Sequence, residues 1–356
     1  MTAPWFEDAT TTVYHGDSLD ILKVLPDNSV ESCTTDPPYG LADLPVKKVA
    51  RALSEWIDGD RAFVPVVGTG FMGARWDRFV PPPALWDEVF RVMKPGAYLM
   101  SFAGTRTQDL MGMSIRLAGF KVTDQAQYVK SDSFPKTKHT LKPGYEPILM
   151  AQKPLDGTIA KNIEKWGTGG LNIDAVRTAF RNAADEAESK SKNKHGKFGT
   201  AQGGNSVFGD YTMLEARKDY DAPGRWPTNI MFDELSAAEL DAIAPASSQH
   251  GGDIGGPSRF YPVFTEDPTP FFYSGRATVK ERPEVDGVKH ETVKNLAIMD
   301  WLVRLVTPAG GLVLDPFLGS GTTVEAARLA GFRSIGIEGA ARYLPLIGQR
   351  LDRSAR

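Results

Sequence analysis

Two short stretches carry residue types that could do chemistry. In "TTDPPYG" (34–40) a run of small and apolar residues stops at an acid followed by two prolines, a tyrosine and a glycine. Pro37 and Pro38 give up two backbone donors and stiffen the chain, and the residue before each is pushed towards extended geometry. The simplest reading is a strand terminator and turn. The sharper one is a rigid mount that holds the Asp36 carboxylate, a proline carbonyl and the face of Tyr39 in fixed positions. In "DPFLGSGTT" (315–323), Gly319 and Gly321 form a turn that lets a ligand approach the backbone and meets the N-terminal amides of the helix that follows. No lysine follows the second glycine, so this is not a phosphate-binding P-loop, and Val324 stands where a dinucleotide fingerprint has its third glycine. Glu338 lies seventeen positions after Gly321, at the end of the next apolar run, where an acid can grip ribose hydroxyls. Together, turn and acid favour a nucleoside-containing cofactor over a purely structural turn.

The elements that must position these residues are strongest at the two ends of the chain. "GGLVLDPFLGSGTTVEAARLAGFRSIGIEGA" reads as strand, turn, helix and strand, with Gly331 where a left-handed helix cap belongs. Before it, "NLAIMDWLVRLVTPAGG" places Leu296, Met299, Leu302, Val303 and Val306 on one helical face and pairs Asp300 with Arg304 on the other. In the N-terminal part "TTVYHGD" and "VESCTTDPPY" are strand-like, with the helical "DSLDILKVL" between them. "ALWDEVFRVMKPG", "AYLMSFAG", "TQDLMGMSIRLAGF", "KVTDQAQYVK" and "EPILMAQK" continue as helix, strand, helix, strand, strand. The alternation predicts a parallel-rich α/β sheet covered on both faces. From about 154 to 287 periodicity is weak and glycine, lysine, asparagine and proline abound.

Composition sets the bounds. The 356 residues suffice for one large domain or two ordinary ones, and the formal charge of −3 leaves nucleic-acid binding to local basic patches. No signal pattern or membrane-length apolar run is present, and the single Cys33 fits a reducing cytoplasm, so a cytoplasmic location is expected. His15, His139, His195 and His250 have no metal-ligand spacing, and no metal is expected.

Taken together, "DPPY" near the N-terminus, "FLGSG" near the C-terminus, "HGDSLDIL", "MKPGAYLMSF" and "HETVKNLAIMDWLVRLVTPAGG" resemble the β-class SAM-dependent DNA amino-methyltransferases, phage and prophage members included. The motif order of that class is permuted, and this chain has that order. The resemblance implies a Rossmann-like methyltransferase sheet with an inserted target-recognition region: residues 1–153 as the catalytic half, with a lid over about 41–83, 154–286 as the insert, and 287–356 as the cofactor half. The third strand of the nucleoside-binding unit would then be "TTVYHGD", and the "CTTDPPY" strand would lie beside "GLVLDPF".

The resemblance implies S-adenosylmethionine (SAM) as cofactor, DNA as substrate and no membrane. It leaves a homodimer and a restriction partner open. It assigns Asp36, Pro37, Pro38 and Tyr39 to catalysis on a flipped base, and Asp17, Asp315, Phe317, Gly319, Ser320, Gly321, Thr322, Glu338, His290 and Thr292 to the cofactor. An acid at the head of the motif suits adenine N6, whereas cytosine-N4 members more often carry serine there. Beside such a core, the lysine runs "YVKSDSFPKTKHTLK" and "KSKNKHGK" become phosphate contacts, with Lys136, Lys138, Lys190, Lys192, Lys194 and Lys197 the candidates. Plain structural roles compete: Asp17 as a helix cap, Phe317 as core, Tyr39 as a packed turn aromatic. The chain departs from the family at Glu291 and Asn295, where prolines are usual. Rival functions are a cytosine-N4 enzyme, a catalytically silent DNA-binding homologue, and a dehydrogenase, which the missing third glycine disfavours.

Overall fold

In the computed structural model, which describes residues 3–70, 73–131, 138–192, 202–205, 209–212, 222–243, 256–264 and 282–354, the strand runs assemble into one ten-stranded sheet. The strands are β1 (Phe6–Glu7), β2 (Thr11–His15), β3 (Val30–Thr35), β4 (Met93–Phe102), β5 (Lys121–Val129), β6 (Tyr145–Gln152), β7 (Gln202–Asn205), β8 (Gly209–Thr212), β9 (Ile230–Asp233), β10 (Val263–Phe264), β11 (Glu284–Val285), β12 (Val288–Lys289), β13 (Leu312–Asp315) and β14 (Arg333–Glu338). The helices are α1 (Ser18–Leu22), α2 (Val46–Asp58), α3 (Pro83–Val92), α4 (Gln108–Leu117), α5 (Ile159–Trp166), α6 (Ala183–Lys192), α7 (Glu234–Ile243), α8 (Leu296–Val306), α9 (Thr322–Leu329) and α10 (Leu344–Ser354).

The sheet runs β1-β2-β14-β13-β3-β4-β6-β5-β9-β10, and β7–β8 and β11–β12 are separate hairpins. From β2 to β4 all neighbours are parallel; β6 pairs antiparallel with both β4 and β5. The permuted connection follows from the register. Ser334 to Glu338 lie opposite Thr11 to His15, so the N-terminal "TTVYH" completes the C-terminal unit, and Val313 and Leu314 lie opposite Ser32 and Cys33. Residues on β4 alternate between two cores. Leu99 joins Trp86, Val89, Ile115 and Trp56 on one face, while Met100 joins Ile298, Met299, Leu302 and Val306 on the other. Burial on both sides is why β3 and β13 read as near-continuous runs rather than alternating ones. The expected apolar stripe of α8 is largely buried, and Arg304 Nε lies 2.8 Å from Asp300 on its other side. Gly331 takes the left-handed conformation, φ +79°, after α9.

Two regions are more integrated than their sequence suggests. The 41–83 segment contains α2, whose Ala52 and Trp56 are fully buried in the core, with Phe79 and Val80 after them. The weakly periodic middle adds β9 in parallel beside β5 and β10 beside β9, extending the sheet rather than standing apart from it. Asn162 of α5 ties the same region to β4, donating to the Pro95 and Thr168 carbonyls at 2.9 and 2.7 Å. Among the described residues no helix is long and apolar enough to cross a membrane, and no His, Cys, Asp and Glu cluster is placed to hold a metal ion.

Candidate active site

The Asp-Pro-Pro-Tyr stretch leaves the C-terminal end of β3, whose six residues are all buried. With no proline amides to bond, its turn is closed by the next three backbone donors. The Tyr39 and Gly40 amides donate to Asp77 Oδ1 at 2.7 and 3.1 Å, the Leu41 amide donates to the Asp77 carbonyl at 3.0 Å, and the Thr107 hydroxyl donates to the Tyr39 carbonyl. Gly40 has φ +69°, and a Cβ there would stand 2.8 Å from the Val80 amide nitrogen, so no other residue fits. The rigid mount expected from the two prolines is therefore held from three sides.

Around it lies a partly buried cluster of alternating charge. Lys294 Nζ is 2.9 Å from Asp36 Oδ2, 3.0 Å from the Tyr39 hydroxyl and 3.5 Å from Glu146 Oε2. Lys130 Nζ lies 2.5 Å from Glu146 Oε1. Burial works against charge on Glu146, yet Lys294 and Lys130 hold its carboxyl down at about 2. Burial likewise opposes the Lys294 ammonium, but Asp36 and Glu146 push its pKa above the ordinary lysine value. Burial, with the Asp36 and Glu146 charges, lifts the Tyr39 phenol well above its usual range. Asp36 Oδ1 is buried and has no hydrogen-bond partner among the described residues. A buried acceptor with nothing to accept is costly, which makes it a candidate to receive a donor from a ligand.

Beside it, the glycine turn follows β13. Asp315 accepts from the Thr35 hydroxyl at 2.7 Å, the Phe317 amide at 2.9 Å and the Thr323 hydroxyl at 2.5 Å. Its carboxylate thus staples β3, the turn and α9 together. Burial raises its pKa to about 6 against those three donors, with the Asp36 charge adding to the rise. Gly319 and Gly321 adopt φ +58° and +89°, and a Cβ at 319 would lie 3.1 Å from His290 Nε2. Glu338 accepts from the Gly319 amide at 2.7 Å and the Ala340 amide at 2.6 Å. Burial nonetheless raises its pKa to about 7. Ser320 and Thr322 are buried, and Phe317 packs partly buried against the main core. The exposed Asp17 caps α1, accepting from the Leu19 and Asp20 amides, at the end of β2 next to Glu338.

The prolines missing at 291 and 295 have been replaced by side chains with work of their own. Asn295, 2% exposed, caps α8 by accepting from the Ala297 and Ile298 amides at 2.8 and 3.2 Å. Glu291 pairs with Arg342 at 3.1 Å and accepts from the Tyr343 hydroxyl. Tyr343 packs on His290 with ring centroids 4.3 Å apart, and His290 Nδ1 lies 2.8 Å from the Thr292 carbonyl.

Asp36, Tyr39, Asp315, Gly319, Glu338, Asp17, His290 and Thr292 thus gather at the C-terminal ends of adjacent strands, where open α/β sheets bind ligands. Sequence reasoning gave no role to Lys294, Glu146 or Asp77, and counted Lys130 within a lysine run read as phosphate contacts, whereas it pairs with Glu146. Of the first three only Lys294 had a signal, lying between Thr292 and Asn295 in the helix-entry stretch. Of the proposed DNA contacts, Lys138 is exposed and Lys190 pairs with Glu186 at 2.7 Å. Lys136, Lys194, Lys197 and the side chain of Lys192 lie outside the described residues, as does the "SGRATVK" stretch.

In comparisons with known proteins, the N6/N4 methyltransferase family model, described as DNA methylase, matches residues 30–349. The type II methyltransferase M.ScaI of Streptomyces caespitosus is 30% identical over 133 residues, which is 37% of this chain and 42% of that protein, less than half its length. The type II methyltransferase M.HindIII of Haemophilus influenzae is 22% identical over 351 residues, 92% of this chain and 90% of that protein. Among solved structures, the cytosine-N4-specific PvuII DNA methyltransferase is 13% identical, with a TM-score of 0.52 over 98% of this chain and 89% of that one. That likeness is one of fold.

Proposed function

Since the chain belongs to the N6/N4 DNA methylase family, we propose that it transfers a methyl group from SAM to the exocyclic amine of a flipped DNA base, with adenine N6 the target. One observation carries the reading: Oδ1 of Asp36, buried and without a hydrogen-bond partner among the described residues, sits at the strand edge shared with the glycine turn.

The residues present fit the cofactor. Glycines with positive φ at 319 and 321 open the turn, and the acid of β14 reaches its backbone. Glu338 and Asp17 would hold the adenosine part, while Phe317, Gly319, Ser320 and Thr322 would surround the methionine part, with His290 and Thr292 beside them. Asp315 would serve the same site by fixing the turn's shape, since its own oxygens are taken. When bound, SAM supplies an electrophilic methyl group on a sulfonium.

An exocyclic base amine is a poor nucleophile because its lone pair is delocalised into the ring. Asp36 Oδ1 and the Pro37 carbonyl would accept its two N–H bonds and draw the nitrogen towards tetrahedral geometry. The lone pair forms the new C–N bond, and the electrons of the broken C–S bond remain on sulfur. The surplus amine proton passes to the Asp36 carboxylate and on to solvent. Alignment supplies much of the remaining rate. Tyr39 offers a face on which an extruded base can stack.

Residues 154–286 would read the target sequence, and Lys138 and Lys190 would contact phosphates. The test is direct. DNA treated with the protein and labelled SAM, then digested to nucleosides, should carry label in N6-methyldeoxyadenosine. Label in N4-methylcytosine would move the target base and leave the mechanism standing. Label at carbon 5 of cytosine, or none, would overturn the reading.

A further inference from the structure

We propose that Lys294 is a positioning residue for methyl transfer, an inference that rests on the proposed activity: its ammonium anchors one oxygen of Asp36 and the phenol of Tyr39, leaving Asp36 Oδ1 aimed at the incoming amine. Three acceptors stand around Nζ, at 2.9 Å (Asp36 Oδ2), 3.0 Å (Tyr39 hydroxyl) and 3.5 Å (Glu146 Oε2), one for each N–H of the ammonium. The same nitrogen lies 5.2 Å from the Tyr39 ring centroid and 4.9 Å from that of Phe102. A carboxylate bound at neither oxygen can turn about its terminal torsion; bound at Oδ2, it presents Oδ1 in a single direction. One ammonium thus sets both functional side chains of the Asp-Pro-Pro-Tyr stretch.

Lys294 is itself fixed from two directions. It directly precedes Asn295, the cap of α8, so the helix entry fixes its backbone. Glu146 on β6 holds its head group, and Lys130, the residue after β5, binds the other Glu146 oxygen. The charges run Lys130, Glu146, Lys294, Asp36 in alternating sign, so each neutralises its neighbours out of water. Lys294 carries its full complement of protons, and the proton lost by the amine does not pass to it. Its part in the reaction is geometric.

The experiment compares wild type with Lys294→Met in single-turnover methyl transfer to DNA and in calorimetric SAM and DNA binding. The expected result is a rate lower by about 10²-fold, the scale of a misplaced reacting group, with both dissociation constants within about twofold. Methylammonium should restore part of the rate to Lys294→Ala, and tetramethylammonium at equal ionic strength should not. If Lys294→Met is poorly folded, Lys294→Met/Glu146→Gln removes one charge of each sign, and the same loss of rate is expected. A variant as fast as wild type, a loss carried by binding alone, or rescue by both cations alike would overturn the inference. A wild-type chain that transfers no methyl from SAM would overturn the proposed function as well, which separates the two failures.

Discussion

Asp36 leaves β3 with its two oxygens in different states, Oδ2 on Lys294 and Oδ1 without a hydrogen-bond partner among the described residues. Asp36→Ala should therefore lower single-turnover methyl transfer by about 10²–10⁴-fold, the range of a lost acid–base partner, and leave SAM affinity within about twofold by calorimetry. Near wild-type turnover would remove Asp36 from the mechanism. Glu338 gives a pH prediction. Its folded pKa is raised to about 7, chiefly by burial and partly by Asp315, while the Ala340 and Gly319 amides and Arg342 pull the other way. A raised carboxyl favours folding while protonated, so this contribution is complete below the ordinary glutamate pKa and is lost as pH rises through 7. Gripping ribose hydroxyls asks for the opposite, ionised form. SAM affinity should accordingly weaken about tenfold per pH unit below 7, and Glu338→Gln should bind weakly with a flattened profile. A wild-type affinity constant from pH 5.5 to 8.5 would detach Glu338 from the cofactor. Asp36 and Glu338 were legible because each closes a strand beside punctuating prolines or glycines. Lys294 and Glu146 were not, since a lysine's worth here depends on carboxylates more than a hundred positions away that only the folded sheet brings within 4 Å.

At the scale of elements, the α8 entry shows how a departure from the family pattern can be compensated locally. Asn295 replaces a proline and caps the helix that carries Lys294 into place. Asn295→Ala should cost about 1 kcal/mol in urea unfolding and slow methyl transfer through Lys294, without changing which base is labelled. Unchanged stability would mean that the cap is dispensable. α3, α8 and α9 were readable because a helical pattern persisted over eight or more residues, and β13 and β14 because they flank α9 and its glycine turn. β9 was not, because four residues of "IMFD" carry too little pattern, and the strand exists because β5 offers an unfilled edge. In α2, Ala52 and Trp56 fall four apart among lysines, arginine and acids. The segment looked like connection, yet two well-placed side chains dock it.

At the scale of the molecule, the insert is held together by a second charged cluster of its own. Asp185 lies 2.6 Å from Arg225 and 3.5 Å from Arg259, and all three side chains are at least nine-tenths buried. Burial opposes the Asp185 charge, but hydrogen bonds from Arg225 and the Arg181 amide hold its pKa below the usual value. Arg225 also lies 5.1 Å from the ring centroid of Phe180 and 5.2 Å from that of Phe260. Asp185→Ala would leave two buried guanidiniums short of a partner, a change worth about 3–5 kcal/mol in comparable cases. It should impair DNA binding while SAM affinity persists at temperatures where the sheet stays folded. Equal loss of both ligands would show that the two regions unfold as one. Lys138→Ala/Lys190→Ala should lower the slope of log affinity against log salt by about 0.9 for each duplex phosphate no longer neutralised. An unaltered slope would leave those lysines as solvated surface.

The parallel pairing of β14 with β2 also has a consequence in time. On the ribosome His15 emerges roughly 300 residues before its neighbour Glu338, so at 5–20 residues per second β2 and one edge of β3 wait on the order of 15–60 s for β13 and β14. For most of that interval the nascent chain carries the Asp36 motif without the glycine turn beside it or the lysine proposed to anchor it. If the chain acts as proposed, a growing chain transfers no methyl group, and the site is complete only when β13 and β14 have entered between β2 and β3.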